Sequence, residues 1–125
     1  MSKLIFFVDD DKMIINLLEY TFQSRQQYDV RSFESGEACL KSLNLNPDLI
    51  VLDHQLSGVG DKNLDGIQTL EKIREQNQDV PVIVLTAHGT DELYKAFIKR
   101  GAERFLTKDD YFIDSLIETI SEVLN

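Results

Sequence analysis

"LIFFVDDDK", residues 4–12, runs five apolar residues straight into three aspartates. A stretch that is apolar at every position, rather than at alternate ones, is the pattern of a strand covered on both faces, as in a parallel sheet. Adjacent carboxylates are a poor ending for such a strand, because they repel one another and prefer water. Burial followed at once by clustered negative charge therefore asks for a reason beyond the fold.

The same pattern recurs outward from this stretch. "DLIVLD" (48–53) and "VPVIVLT" (80–86) are further buried strands, the first preceded by Asn-Pro and the second with Pro81 at its entrance. "DVRSF" (29–33) alternates and suits a strand nearer an edge, and "RFLT" (104–107) is a last short strand. Between them apolar residues recur at helical spacing. Ile14, Leu17, Leu18, Thr21 and Phe22 mark a helix to about Gln26. "SGEACLKSL" (35–43) predicts a short helix opened by serine, and Ile67, Leu70 and Ile73 mark a third. Leu93, Ala96 and Phe97 mark a fourth that stops at Gly101, and Ile113, Leu116, Ile117, Ile120, Val123 and Leu124 a fifth. Five strands and five helices in strict alternation predict one α/β domain, a doubly wound parallel sheet with right-handed crossovers. No linker, repeat or low-complexity segment divides residues 1–125.

Composition narrows the function. The chain has 125 residues, 42% of them hydrophobic, enough for one core without staples. Its formal net charge of −9 argues against general nucleic-acid affinity, which needs a basic face. Cys39 is the only cysteine, so neither a disulfide framework nor a zinc cluster can form within the chain, and it is expected in the core. No apolar run is long enough to span a bilayer, and no signal-peptide pattern precedes the first strand. The expectation is a soluble cytoplasmic protein.

Open α/β sheets bind ligands beyond the carboxyl ends of their strands. The first strand ends at Asp9, Asp10 and Asp11, the third at Asp53, the fourth at Thr86 and the fifth at Thr107 and Lys108. Carboxylates, a hydroxyl and an ammonium thus converge on one rim. Oxygen-only ligands suit a hard cation, and magnesium binds through one or two carboxylates together with phosphate. Taken singly, each residue has a plainer explanation. Aspartates before a helix serve as caps, which is the expectation for Asp11. Asp53 fits a turn, Thr86 an ordinary strand, and Lys108 a solvated surface. His54 and His88 do not by themselves make a metal site. The conjunction of residue types on four strand ends carries the argument.

On these motifs the chain resembles the response-regulator receiver domains, the CheY-like family of two-component signalling. The resemblance covers essentially the whole chain. It rests on "VDDD", on "NPDLIVLD", on "DG" opening the third helix, on "VPVIVLTA" and on "GAERFLTK". It implies a flavodoxin-like (βα)5 sheet of order 2-1-3-4-5, which periodicity alone does not supply. Asp53 resembles the phosphoacceptor, and Asp9 and Asp10 the acidic pair that holds Mg2+, Asp10 directly and Asp9 largely through water. The backbone carbonyl of Gln55 resembles the third protein ligand. Thr86 resembles the switch hydroxyl, Lys108 the lysine that pairs with the phosphoryl group, and Phe105 the switch aromatic. Ala87 is small enough to leave room above Asp53. The implied donor is a histidine kinase or a histidine phosphotransfer protein. The implied output is a protein target read by the face of helix four, strand five and helix five.

The chain also departs from the family. Asp53 and Asp65 are twelve positions apart, wider than the usual spacing, and Ser57 replaces a customary proline. The extended loop 56–64 is expected to be a tolerated surface insertion; a lid or recognition loop is the alternative. Asp109 follows Lys108 where the family has a proline joined through a cis bond. A non-proline cis bond costs about 3–4 kcal/mol, so a trans bond and some displacement of Lys108 are expected. Two other readings compete. A degenerate receiver would serve only as a binding scaffold, against which the intact Asp53, Thr86 and Lys108 argue. An aspartate-nucleophile phosphohydrolase of the haloacid-dehalogenase-like class would need an acid where Gln55 stands. Cognate kinase, output, oligomeric state and phosphoryl lifetime leave no mark on the sequence.

Overall fold

The computed structural model describes residues 2–55 and 64–125. Strands β1 (Lys3–Val8), β2 (Tyr28–Phe33), β3 (Leu49–Asp53), β4 (Val82–Thr86) and β5 (Arg104–Thr107) alternate with helices α1 (Lys12–Gln23), α2 (Gly36–Lys41), α3 (Gly66–Gln76), α4 (Asp91–Lys99) and α5 (Phe112–Leu124). All four strand pairs are parallel, and the sheet order is β2-β1-β3-β4-β5. This is the flavodoxin-like order that the resemblance implied, with the alternating strand β2 at one edge.

Successive side chains of a strand point to opposite faces. Phe6, Val8, Ile50, Leu52, Val82 and Val84 therefore meet Cys39, Leu70, Ile73 and Phe97 of α2, α3 and α4. Ile5, Phe7, Leu49, Val51, Ile83 and Leu85 meet Ile15, Leu18 and Phe22 of α1 and Leu116 and Ile120 of α5. Every residue of β3 and β4 is buried, which is why those runs carry no alternation. Cys39 is a core residue, and burial pushes its thiol up to about 12.

The helix ends follow from local chemistry. Asp11 caps α1 by accepting from the Met13 amide at 2.9 Å. Ser35 and Thr90 cap α2 and α4 in the same way. Asp65 and Gln68 form a reciprocal capping box at the start of α3. At the end of α4, Gly101 takes φ +101°, Ala102 donates to the Phe97 carbonyl and Gly101 to that of Ile98. That pair of bonds is a glycine-terminated helix end. The first helix stops at Gln23, three residues short of the expectation, because the polar 24–27 stretch supplies no apolar face to dock. A 3₁₀ turn, Leu43–Leu45, follows α2 and was not foreseen. Residues 56–63 of the extended loop, and with them the choice between insertion and lid, lie outside the described residues.

Candidate functional site

The parallel sheet delivers its strand ends to one rim, and the acidic residues meet there. Asp9 directly follows β1, is 2% exposed, and its backbone amide is held by the Phe33 carbonyl at 3.0 Å. Its Oδ1 accepts from the Asp11 amide at 2.9 Å. Asp53 closes β3 and is 3% exposed. Asp10 stands at the surface. Carboxylate oxygens of Asp9, Asp10 and Asp53 lie within 4.8 Å of one another.

Lys108 reaches this cluster from the end of β5. Its Nζ donates to Asp9 Oδ2 and to Asp53 Oδ1, both at 3.0 Å. The peptide after Lys108 is trans, as expected, since the described residues contain no cis bond. The expected displacement of Lys108 does not keep it from the site. The Lys108 amide donates to the Thr86 carbonyl at 2.7 Å, which ties its backbone to the end of β4.

Electrostatics sharpen the picture. Burial is the largest influence on Asp9 and, with Asp53 beside it, pushes its carboxyl up to about 6 against the Asp11 amide and the Lys108 ammonium. Burial also acts to lower Lys108, but the Asp53 and Asp9 carboxylates more than offset it, so its ammonium is held above the ordinary value. Three carboxylates and one ammonium leave two negative charges in excess among these four side chains. A hard divalent cation with oxygen ligands fits both that charge and the close-set oxygens. Asp9, Asp10, Asp53, Gln55 and Lys108 line one cleft of about 580 Å³, together with His54.

Thr86 closes β4, is fully buried, and is not among the residues lining the cleft. Its Oγ1 accepts from the His88 amide at 3.3 Å. Phe105, half-buried on β5, packs against Tyr94 and Phe97 of α4. A Cβ on Gly89 would lie 3.0 Å from Thr107 Oγ1, 3.3 Å from Phe105 Cε1 and 3.6 Å from Thr86 Cγ2. Gly89 is thus the small residue at the junction of Thr86 and Phe105, a role that sequence spacing does not announce. Gly66 is another. A Cβ there would come within 2.7 Å of the His54 carbonyl oxygen and 2.9 Å of its Cα. The glycine after Asp65 lets the first turn of α3 press on the backbone that leaves Asp53.

Residues 5–120 match the family described as the response regulator receiver domain, and the chain belongs to that family. Its members are signalling domains, generally not classed as enzymes, that bind Mg2+ in an acidic pocket. PhoP of Bacillus subtilis, an alkaline phosphatase synthesis transcriptional regulatory protein, is 37% identical over 109 residues, 86% of this chain and 43% of PhoP. The chain thus spans less than half the length of that relative. The chemotaxis protein CheY of Halobacterium salinarum is 27% identical over 124 residues, 99% of this chain and 98% of CheY. The receiver domain of NtrX from Brucella abortus superposes with a TM-score of 0.82 at 30% identity, covering 96% of this chain and 97% of that one. No helix among the described residues is long and apolar enough to cross a membrane.

Proposed function

We propose that Asp53 accepts a phosphoryl group from a phosphohistidine of a histidine kinase or histidine phosphotransfer protein. The observation that carries this reading is the buried Asp53 carboxylate, bonded to Lys108 and set close to the Asp9 and Asp10 carboxylates. One Asp53 oxygen attacks phosphorus in line. The phosphorus–nitrogen bond breaks, and its electron pair leaves on the donor imidazole, which takes up a proton. Asp9, Asp10, Asp53 and the Gln55 carbonyl are the groups that would hold Mg2+, which would supply charge neutralisation to the phosphoryl transfer. Lys108 already stands between Asp9 and Asp53, so it needs only a small shift to pair with the incoming phosphoryl oxygens.

Phosphorylation adds roughly two negative charges and three acceptor oxygens. The Thr86 hydroxyl is then drawn from the His88 amide toward the phosphoryl group, and Phe105 moves into the space it leaves. The face formed by α4, β5 and α5 changes accordingly, and a downstream protein target reads it. In this reading the domain works in the cytoplasm, assists its own phosphorylation and dephosphorylation, and touches neither nucleic acid nor membrane directly.

Phosphotransfer from a cognate kinase tests the assignment. Wild-type protein with Mg2+ is expected to gain acid-stable, base-labile phosphate, and Asp53→Asn to gain none. Sustained labelling of Asp53→Asn would remove Asp53 from the role. Mg2+-dependent uptake of beryllofluoride separates a live receiver from a scaffold, which would not take it up.

A further inference from the structure

Four rings form a continuous chain from the residue beside Asp53 to the protein surface. His54 meets Phe97 edge to face, with centroids 5.4 Å apart and planes at 88°. Phe97 meets Phe105 at 5.9 Å, and Phe105 meets Tyr94 at 5.8 Å and 86°. Phe97 is wholly buried, whereas Tyr94 is 49% exposed on α4. The chain of rings therefore starts at His54, a residue that helps to line the acidic cleft, and ends in solvent.

The His54 backbone is clamped. Its amide donates to the Leu85 carbonyl at 2.8 Å, and Gly66 packs against its Cα and carbonyl. The ring is not clamped in the same way. Its Nδ1 is buried and finds no hydrogen-bond partner among the described residues. A buried polar atom without a partner is costly, so a group that offered this nitrogen a hydrogen bond would be favoured. A phosphoryl group on the neighbouring residue would bring three acceptor oxygens to the same cleft. A side chain with two positions of similar free energy is the kind of element that can carry coupling between sites.

We propose that His54 is a second sensor of the phosphoryl group, separate from Thr86: its ring turns from Phe97 toward the phosphoryl oxygens, and the lost contact is passed through Phe97 and Phe105 to Tyr94. The proposal rests on Asp53 being the phosphoacceptor. It adds a route to α4 that does not require the Thr86 hydroxyl.

The test uses the whole chain with isotope-labelled aromatic rings, followed by NMR at saturating Mg2+ and beryllofluoride, with ¹⁹F signals of bound fluoride verifying uptake. In wild type the Phe97 and Tyr94 resonances are expected to move on uptake. Thr86→Ala is expected to keep about half of that displacement, and Thr86→Ala with His54→Phe to lose nearly all of it, since two routes contribute separately. Phe97→Leu, at a position that does not itself line the cleft, is expected to reduce the Tyr94 displacement to the level of His54→Phe alone. Complete loss in Thr86→Ala, or a full Tyr94 displacement in either His54→Phe or Phe97→Leu, overturns the second route and leaves Asp53 in its role. Absence of bound fluoride in wild type overturns the phosphoacceptor reading and the second route together.

Discussion

Lys108 is the residue on which the acidic rim most depends. It is the cation placed between Asp9 and Asp53, whose side chains are 3% and 4% exposed. Removing one partner of a buried ion pair leaves charge without compensation. Lys108→Met is expected to destabilise the metal-free protein at neutral pH by about 3 kcal/mol, read from urea unfolding. Asp9 gives a separate signature with pH. An ordinary aspartate releases its proton near 3.8, whereas folded Asp9 holds its own to about 6. Between those values the folded state binds more protons than the unfolded state, so Asp9 makes stability fall as pH rises through that window. The fall amounts to about 3 kcal/mol at most and is complete above the folded value. Asp9→Asn is expected to remove this part of the pH profile; an unchanged profile in urea midpoints from pH 4 to 7 would refute it. Residue identity made the acids, Thr86 and Lys108 legible in the sequence, because they fall at strand ends. The Asp9–Lys108 and Asp53–Lys108 contacts span 99 and 55 positions, and only the fold brings them together.

At the scale of elements, the start of α3 has the strictest geometry. Asp65 caps it, and Gly66 lets it touch the backbone of Asp53 and His54. A methyl group at Gly66 would meet backbone, which cannot swing aside as a flexible side chain can. Gly66→Ala is expected to cost about 1–3 kcal/mol in urea unfolding and to slow phosphotransfer, because α3 must retreat and carry the Asp53–His54 turn with it. Equal stability and equal rate in the variant would contradict that packing. The pair "DG" was legible as a helix start, but its reason was not, since the close neighbour of Gly66 lies across the extended loop. Strands β1, β3 and β4 were legible because two-sided burial demands unbroken apolar runs. The end of α1 was less so: no glycine or proline follows Gln23, and a helix that frays into polar residues has no punctuation. The 3₁₀ turn after α2 was missed because three residues are too few to display a period.

For the molecule as a whole, the excess of negative charge at one rim links folding to a cation. A ligand that binds the folded state alone stabilises it by mass action. Mg2+ at about one hundred times its dissociation constant is expected to add about 2.7 kcal/mol to unfolding stability, with a smaller gain at pH 5, where Asp9 keeps its proton. Neutral sodium salts at equal ionic strength are expected to do less, and an equal effect would assign the gain to screening of the net charge of −9. Sheet order was the part of the architecture that residue patterns could not supply. Alternation of strands and helices defines a parallel sheet, but which strands become neighbours is decided by how the crossovers pack, and no local motif records that.

Cys39 gives this chain a clock of its own. Its thiol is wholly buried in α2 and held by burial near 12, so a neutral-pH alkylating reagent meets no thiolate while the fold is closed. Labelling must wait for α2 to lift from the sheet, and its rate then counts those openings. Because α2 packs against α3, where a Cβ on Gly36 would collide with Thr69, an opening at Cys39 is expected to loosen the helix that stands beside Asp53. A single chemical tag, timed with and without bound cation, therefore reads how firmly the acidic rim holds the far side of the core.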